Sequence, residues 1–257
     1  MSRDVNAGLA QSLVDEWARA GVTTAALSPG SRSAPLALAL AADQRIELQV
    51  FLDERSASFF ALGAAKASGR PSIVLTTSGT AVANVHPAVI EAHHSRVPLV
   101  VCSADRPPEL RDTGAGQSID QIKIFGDAVR WFCEVGAPED RDGGGAYWRS
   151  VAARAVATAS GPPAGPVHLN LAFREPLVPT GDAPAGVAGR PDGAPWVRSS
   201  PRAASAYRDE VDRLIDAIAH SSRGILVAGW GAEVDPGSAE RFTTATGWPL
   251  LADPLSG

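Results

Sequence analysis

Short runs of apolar, largely β-branched residues, each closing on small or polar ones, constrain this chain more than any other feature. They fall at 22–29 (VTTAALSP), 46–54 (IELQVFLDE), 71–78 (PSIVLTTS), 98–105 (PLVVCSAD), 128–135 (AVRWFCEV) and 165–172 (GPVHLNLA). Strands that do not alternate apolar with polar residues are suited to burial on both faces, the situation of a parallel sheet. Segments of helical period lie around and between them at 6–20, 33–43, 54–69, 80–95, 117–126 and 146–160. The alternation predicts βαβ units, and so an α/β fold built on a parallel sheet. In such sheets ligands gather beyond the carboxyl ends of the strands, which makes the strand exits the place to look for chemistry.

A first domain is expected over 1–180. Residues 181–203 are dense in Gly, Pro and Ala without apolar period and read as a linker. Beyond it a helix at 204–220, a strand at 224–231, a short helix at 237–246 and the run WPLLADP make about one βαβ unit. That is expected to be the start of a second, Rossmann-like α/β domain over 204–257, incomplete because it is too small to hold a core of its own. The hydrophobic share of 45% and charged share of 20% are those of a globular protein. A net charge of −5 argues against a nucleic-acid surface, which is normally basic. No apolar run is long enough to span a membrane, and residues 1–21 lack the unbroken apolar core of a signal peptide, so a cytoplasmic location is expected. Cys102 and Cys133, both inside apolar runs, are expected to be buried thiols, and no Cys/His spacing suggests zinc.

The strand exits carry the candidate residues. In SPGSRS, Pro29-Gly30 turns the chain and sets Ser31 and Arg32 near a helix start, which suits an anion or is a plain turn with Ser33 as cap. In FLDERSASFF, Glu54 stands where an apolar run meets a helix, either complementing the helix dipole or aimed into a crevice. In TTSGTAVAN, Gly79 lets the backbone approach a ligand while Ser78, Thr80 and Asn84 offer hydrogen bonds. This run matches neither nucleotide-binding glycine fingerprint. In SADRPPELRDTGAGQSIDQ, Arg106 is fixed by Pro107 and Pro108, and Gln117 is expected to open the next helix. A guanidinium grips a carboxylate in bidentate fashion, so Arg32 and Arg106 at two exits of one sheet point to a carboxylate-rich ligand. His93, His94 and Arg96 form a basic helix end, read either as a solvated terminus or as a second anion site. Gly229-Trp230-Gly231 reads as a turn rather than a dinucleotide loop.

Taken together, SPGSRSAPL, DERSASFFALGAAK, TSGTAVANVHPAVIEA and SADRPPELRDTGAGQSIDQ, with GPVHLNLAFREPLVP, resemble the N-terminal portion of the MenD family. These are the 2-succinyl-5-enolpyruvyl-6-hydroxy-3-cyclohexene-1-carboxylate (SEPHCHC) synthases. The resemblance is strong over 1–180 and looser over 205–257. It implies a pyrimidine-type thiamine-diphosphate-binding domain in an enzyme that decarboxylates 2-oxoglutarate and adds the succinyl unit to isochorismate in menaquinone biosynthesis. It implies that Glu54 hydrogen-bonds the cofactor's pyrimidine ring, with Ser78, Gly79 and Thr80 beside it. Ser31, Arg32, Arg106 and Gln117 would face isochorismate. The family's Mg²⁺ or Mn²⁺ and diphosphate site belongs to a third domain with a Gly-Asp-Gly run. No such run follows residue 180, so no metal ligand is expected here and the 257-residue chain alone is expected to be inactive. The family assembles its active sites between subunits, which implies a homo-oligomer, dimer or tetramer. Gly116 stands where the family commonly has Asn, and Ala172 replaces a usual Pro. A non-catalytic ligand-binding or regulatory module derived from a thiamine-diphosphate enzyme is the alternative, though such a module need not keep Glu54, Arg32 and Arg106 together. A different thiamine-diphosphate enzyme would not need the Ser-Arg and Asp-Arg-Pro-Pro pairs.

Overall fold

The computed structural model of the chain describes residues 4–179, 181, 186, 188–198, 206–232 and 234–256. By internal contact the chain divides into Met1–Pro201 and Arg202–Gly257. The first unit runs α1 (Val5–Arg19), β1 (Thr24–Leu27), α2 (Ala34–Ala42), β2 (Glu47–Val50), α3 (Glu54–Ser68), β3 (Ser72–Thr76), α4 (Thr80–Asn84) and α5 (His86–His94). It continues with β4 (Leu99–Asp105), β5 (Trp131–Glu134), α6 (Gly144–Ser160) and β6 (Pro166–Ala172). The strands form one sheet in the order β2-β1-β3-β4-β6-β5, parallel at every pairing.

Both faces of that sheet are covered, which is why its inner strands read as unbroken apolar runs. Ile73, Leu75, Val100, Cys102, Leu169 and Leu171 share a core with α1, α2 and α6. The alternate residues Val74, Leu99 and Val101 pack with Ala57, Ala61 and Leu62 of α3 and Val89 and Ala92 of α5. Asp4 and Asp53 start α1 and α3 by accepting the Ala7 and Arg55 N–H groups at 2.9 and 2.8 Å.

Three sequence expectations need correction. The predicted helix 80–95 is two helices, because Pro87 has no N–H to offer the carbonyl one turn back and α5 restarts around it. The predicted helix 117–126 is absent: Gln117 and Lys123 take left-handed φ of 57° and 54°, and the Asp120 carboxylate accepts the Ile122 N–H at 2.9 Å in place of a helical bond. Only a short 3-10 turn, Gly126–Ala128, follows. Cys102 is fully buried and its thiol pushed up by that burial, Cys133 on edge strand β5 is only partly buried, and neither forms a disulfide.

Of the predicted linker 181–203, residues 181, 186 and 188–198 are described and the rest lie outside the described residues. The described part is tied to α1: Arg19 Nη1 donates to the Arg190 carbonyl at 2.9 Å, and the Trp196 N–H donates to Glu16. Glu16 is itself buried against Arg149 of α6, Nη1 to Oε2 at 2.9 Å. Beside it, hydrogen bonds from Arg45, Arg149 and Arg19 outweigh the effect of burial and hold the Asp15 carboxyl at about 2. In the second unit, α7 (Arg208–Ala219), β7 (Leu226–Ala228), α8 (Pro236–Thr246) and β8 (Leu250–Ala252) form one parallel βαβ pair, registered Leu226 to Leu250. Asp235 caps α8 through the Ser238 N–H at 2.7 Å.

Candidate active site

The chain runs from β1 outward to β2, then returns past β1 to β3, so the loops after β1 and β3 leave the sheet at a topological switch point. They touch. A Cβ added to Gly30 would lie 2.4 Å from the Cβ of Thr77, so only glycine lets the two loops meet there. Ser31–Ser33 forms a 3-10 turn before α2. Ser33 is not a side-chain cap; its hydroxyl donates back to the Gly30 carbonyl at 2.9 Å.

That turn drives Arg32 across the sheet edge. Its Nη1 donates to the carbonyl of Phe173, just past β6, at 2.9 Å, over the exits of β3 and β4. Arg32 is 8% exposed, and its Nε has no hydrogen-bond partner. Its nearest carboxylate, the exposed Glu175, stands 3.6 Å from Nη2. Arg106, at the exit of β4, donates from Nη1 to the Ser78 hydroxyl and forms no ion pair among the described residues. Burial, and then the charge of Arg32, push the Arg106 guanidinium below its ordinary range. Two like charges are therefore held near one another at a partly buried exit, opposed by Glu175 and Asp105, an arrangement suited to an anion.

The Ser78–Gly79 loop lies against this pair. The Ser78 hydroxyl donates to the Gln117 carbonyl at 3.0 Å. Gly79 has φ +79°, and a Cβ there would lie 3.0 Å from that same carbonyl oxygen, so the position requires glycine twice over. The Gly79 N–H donates to Oε1 of Gln121 at 2.9 Å. At the β2 exit, Glu54 opens α3, and Oε2 accepts from Asn84 Nδ2 at 3.2 Å while Oε1 accepts nothing among the described residues. The structure thus links Arg106, Ser78, Gly79 and the Gln117 backbone directly, and ties Glu54 to the β3 exit through Asn84. The exposed hydroxyls of Ser31 and Thr80 and the exposed Gln117 side chain make no hydrogen bond to this cluster. At Gly116 a Cβ would meet nothing within 4 Å, and Ala172 is buried as the last residue of β6. His93 lies against Arg130 and the Ala128 carbonyl, whereas Arg96 is exposed.

Sequence reasoning missed the polar layer beneath the loop. Asn170 on β6 donates to Asp105 at 2.8 Å and Glu134 at 2.7 Å, and accepts from Ser103 and Gln121 at 2.8 and 2.9 Å. Arg111 bridges Asp105 and Glu134 at 2.8 and 2.6 Å. Burial raises the Asp105 carboxyl even so. Ser103 also meets His168 Nε2 at 2.7 Å, and burial pushes the His168 imidazole down to about 3. The available signal was period-two polarity in HLN of β6, where His168 and Asn170 interrupt an otherwise apolar strand. Among the described residues no group of three His, Cys, Asp or Glu is arranged to hold a metal ion.

Comparison with known proteins fits this geometry. Residues 8–124 match the family described as thiamine pyrophosphate enzyme, N-terminal TPP binding domain. The Rhodococcus jostii thiamine diphosphate-dependent 4-hydroxybenzoylformate decarboxylase superposes with a TM-score of 0.75 over 96% of this chain and 44% of that one, at 19% identity, which is a likeness of fold. The chain therefore has the N-terminal domain fold of the thiamine-diphosphate enzymes. The SEPHCHC synthase of Thermobifida fusca is 53% identical over 256 residues, covering 96% of this chain, and that of Geobacillus kaustophilus is 50% identical over 260. The chain is homologous to the N-terminal portion of the SEPHCHC synthases and spans 44% and 43% of the length of these two relatives.

Proposed function

We propose that the chain is the N-terminal part of a thiamine-diphosphate-dependent SEPHCHC synthase, a transferase that decarboxylates 2-oxoglutarate and joins the succinyl unit to isochorismate in menaquinone biosynthesis. The observation that carries this reading is the Arg32–Arg106 pair, with a buried unpartnered Nε, set against the Ser78–Gly79 loop. Both substrates are dicarboxylates, and a pair of fixed guanidiniums beside a cofactor loop suits one of them. The cofactor's pyrimidine half fits the donor set: Glu54 has a free carboxylate oxygen and is joined through Asn84 to the β3 exit that carries Ser78, Gly79 and Thr80. Thiamine diphosphate, when bound, supplies the carbon nucleophile that releases CO₂ from a 2-oxo acid. Glu54 would hold the proton of the pyrimidine ring nitrogen, Ser78, Gly79 and Thr80 would seat the ring, and Arg32, Arg106, Ser31 and Gln117 would orient isochorismate.

The divalent ion, Mg²⁺ or Mn²⁺, and the diphosphate would be held by residues of another domain, which makes the isolated chain inactive. The second unit is read as the opening of a central α/β domain. Exposed Leu214, Ile215, Val227 and Leu251 support this, since a complete domain covers such residues. The whole enzyme is expected to be a cytoplasmic homo-oligomer, dimer or tetramer; no helix among the described residues is long and apolar enough to cross a membrane. Arg32→Ala and Arg106→Ala in the complete enzyme should each lower kcat/KM for isochorismate by about 1–3 kcal/mol, the size of a lost charged hydrogen bond. Unchanged kinetics in both variants would remove the pair from the site.

A further inference from the structure

Gln121 is 1% exposed, and its one amide makes three hydrogen bonds to three separate strand exits. Oε1 accepts the Gly79 N–H at 2.9 Å, while Nε2 donates to the Ala104 carbonyl at 3.2 Å and to Asn170 Oδ1 at 2.9 Å. Asn170 cannot turn its amide to suit a different neighbour, because its Nδ2 is held by Asp105 and Glu134. The orientation of Gln121 is thereby fixed from below. Above it, Gly79 is confined on its other side by the Gln117 backbone, four residues earlier in the same segment. One stretch of chain, 117–121, therefore grips the loop from two directions, and its near end meets Ser78, the residue that Arg106 also holds.

We propose that Gln121 is a positioning residue for thiamine diphosphate: it fixes the Gly79 backbone at the height the pyrimidine ring requires, without touching the cofactor. The inference rests on the reading of Ser78–Gly79 as the cofactor loop. Its chemistry is specific, because the site needs one acceptor facing Gly79 and donors facing two acceptors, Ala104 and Asn170, which an amide supplies and a carboxylate does not.

The test uses the complete enzyme with Gln121→Glu and Gln121→Met, titrated with thiamine diphosphate at about pH 5.5 and pH 8, a range chosen to bracket a carboxyl raised by burial. A protonated carboxyl keeps the acceptor and one donor; an ionised one faces two acceptors with nothing to give. Charged and titratable neighbours on every side (Asp105 on β4, Glu134 on β5, His168 on β6, Arg32 after β1, and Arg106, Arg111 and Asp120 on the segment itself) make the unsubstituted enzyme at both pH values the reference. The expected result is that Gln121→Glu binds thiamine diphosphate near-normally at the lower pH and about tenfold or more weakly at the higher, the size of an unmade buried hydrogen bond. Gln121→Met should be weak at both, with kcat falling and the KM for isochorismate little changed. If Gln121→Met fails to fold, the Gln121→Glu comparison decides alone, since it reads one protein against itself. Normal cofactor affinity at both pH values would overturn the inference. So would a lowered melting temperature with unchanged affinity, or a Gln121→Glu protein unfolded throughout, since Gln121 would then serve the fold and not the loop. An unsubstituted enzyme that binds no thiamine diphosphate would instead overturn the proposed function, and this inference with it.

Discussion

Acidification should weaken this fold through His168, and by a calculable amount. The imidazole is fully buried between Phe125 and Phe132, with ring centroids at 4.8 and 5.2 Å. Ser103 gives its proton to Asn170, so His168 Nε2–H is the donor to Ser103, and Nδ1 is left with no partner. Protonation would place a second N–H there with nothing to accept it, inside an aromatic cage. Burial accordingly lowers the imidazole from 6.5 to about 3. The sign follows: below pH 6.5 the unfolded chain takes up a proton that the folded chain refuses, so stability falls as pH falls, down to about pH 3. At about 1.36 kcal/mol per pH unit, lowering the pH from 7 to 5 removes about 2 kcal/mol through this residue alone. Other groups titrate as well, so the informative quantity is a difference. Urea denaturation of the chain and of a His168→Gln variant, each at pH 7 and pH 5, should show the variant losing about 2 kcal/mol less. Equal losses in the two proteins would refute the argument, because His168 would then accept its proton when folded.

Two further outcomes follow from the contacts at the strand exits. Gly30→Ala drives a methyl into Thr77 and should cost about 1–3 kcal/mol in denaturation, with part of the loss recovered by adding Thr77→Gly; strictly additive losses would mean the two loops are not in contact. Glu175→Gln removes the carboxylate that stands 3.6 Å from Arg32 and should tighten isochorismate binding to the complete enzyme by up to about fivefold, the value of an exposed ion pair, whereas weaker binding would make Glu175 part of the ligand site.

The parallel sheet was legible because its strands are buried on both faces and therefore apolar throughout, as in Ile73-Val74-Leu75. Arg32, Arg106, Ser78 and Gly79 could be placed at the strand exits because each stands at or shortly past the end of such a run. The segment 117–126 was not. Ile119, Ile122 and Phe125 recur at helical spacing, yet only Phe125 is buried, and the chain instead turns through left-handed φ at Gln117 and Lys123. Non-glycine residues adopt that conformation when neighbouring structure repays the strain, and here the return is the three-way bond of Gln121. A glutamine in a polar stretch carries no mark of such a role. Asn170 is marked only as a polar break in an apolar strand, and its partners lie up to 67 positions away.

The most direct test is to assay the complete protein that contains this chain for isochorismate-dependent consumption of 2-oxoglutarate, with and without thiamine diphosphate, alongside Glu54→Gln. The account predicts product only with the cofactor, and a loss of about 100-fold or more in Glu54→Gln, whose amide cannot hold the pyrimidine proton. Cofactor-independent turnover, or full activity in Glu54→Gln, would contradict it.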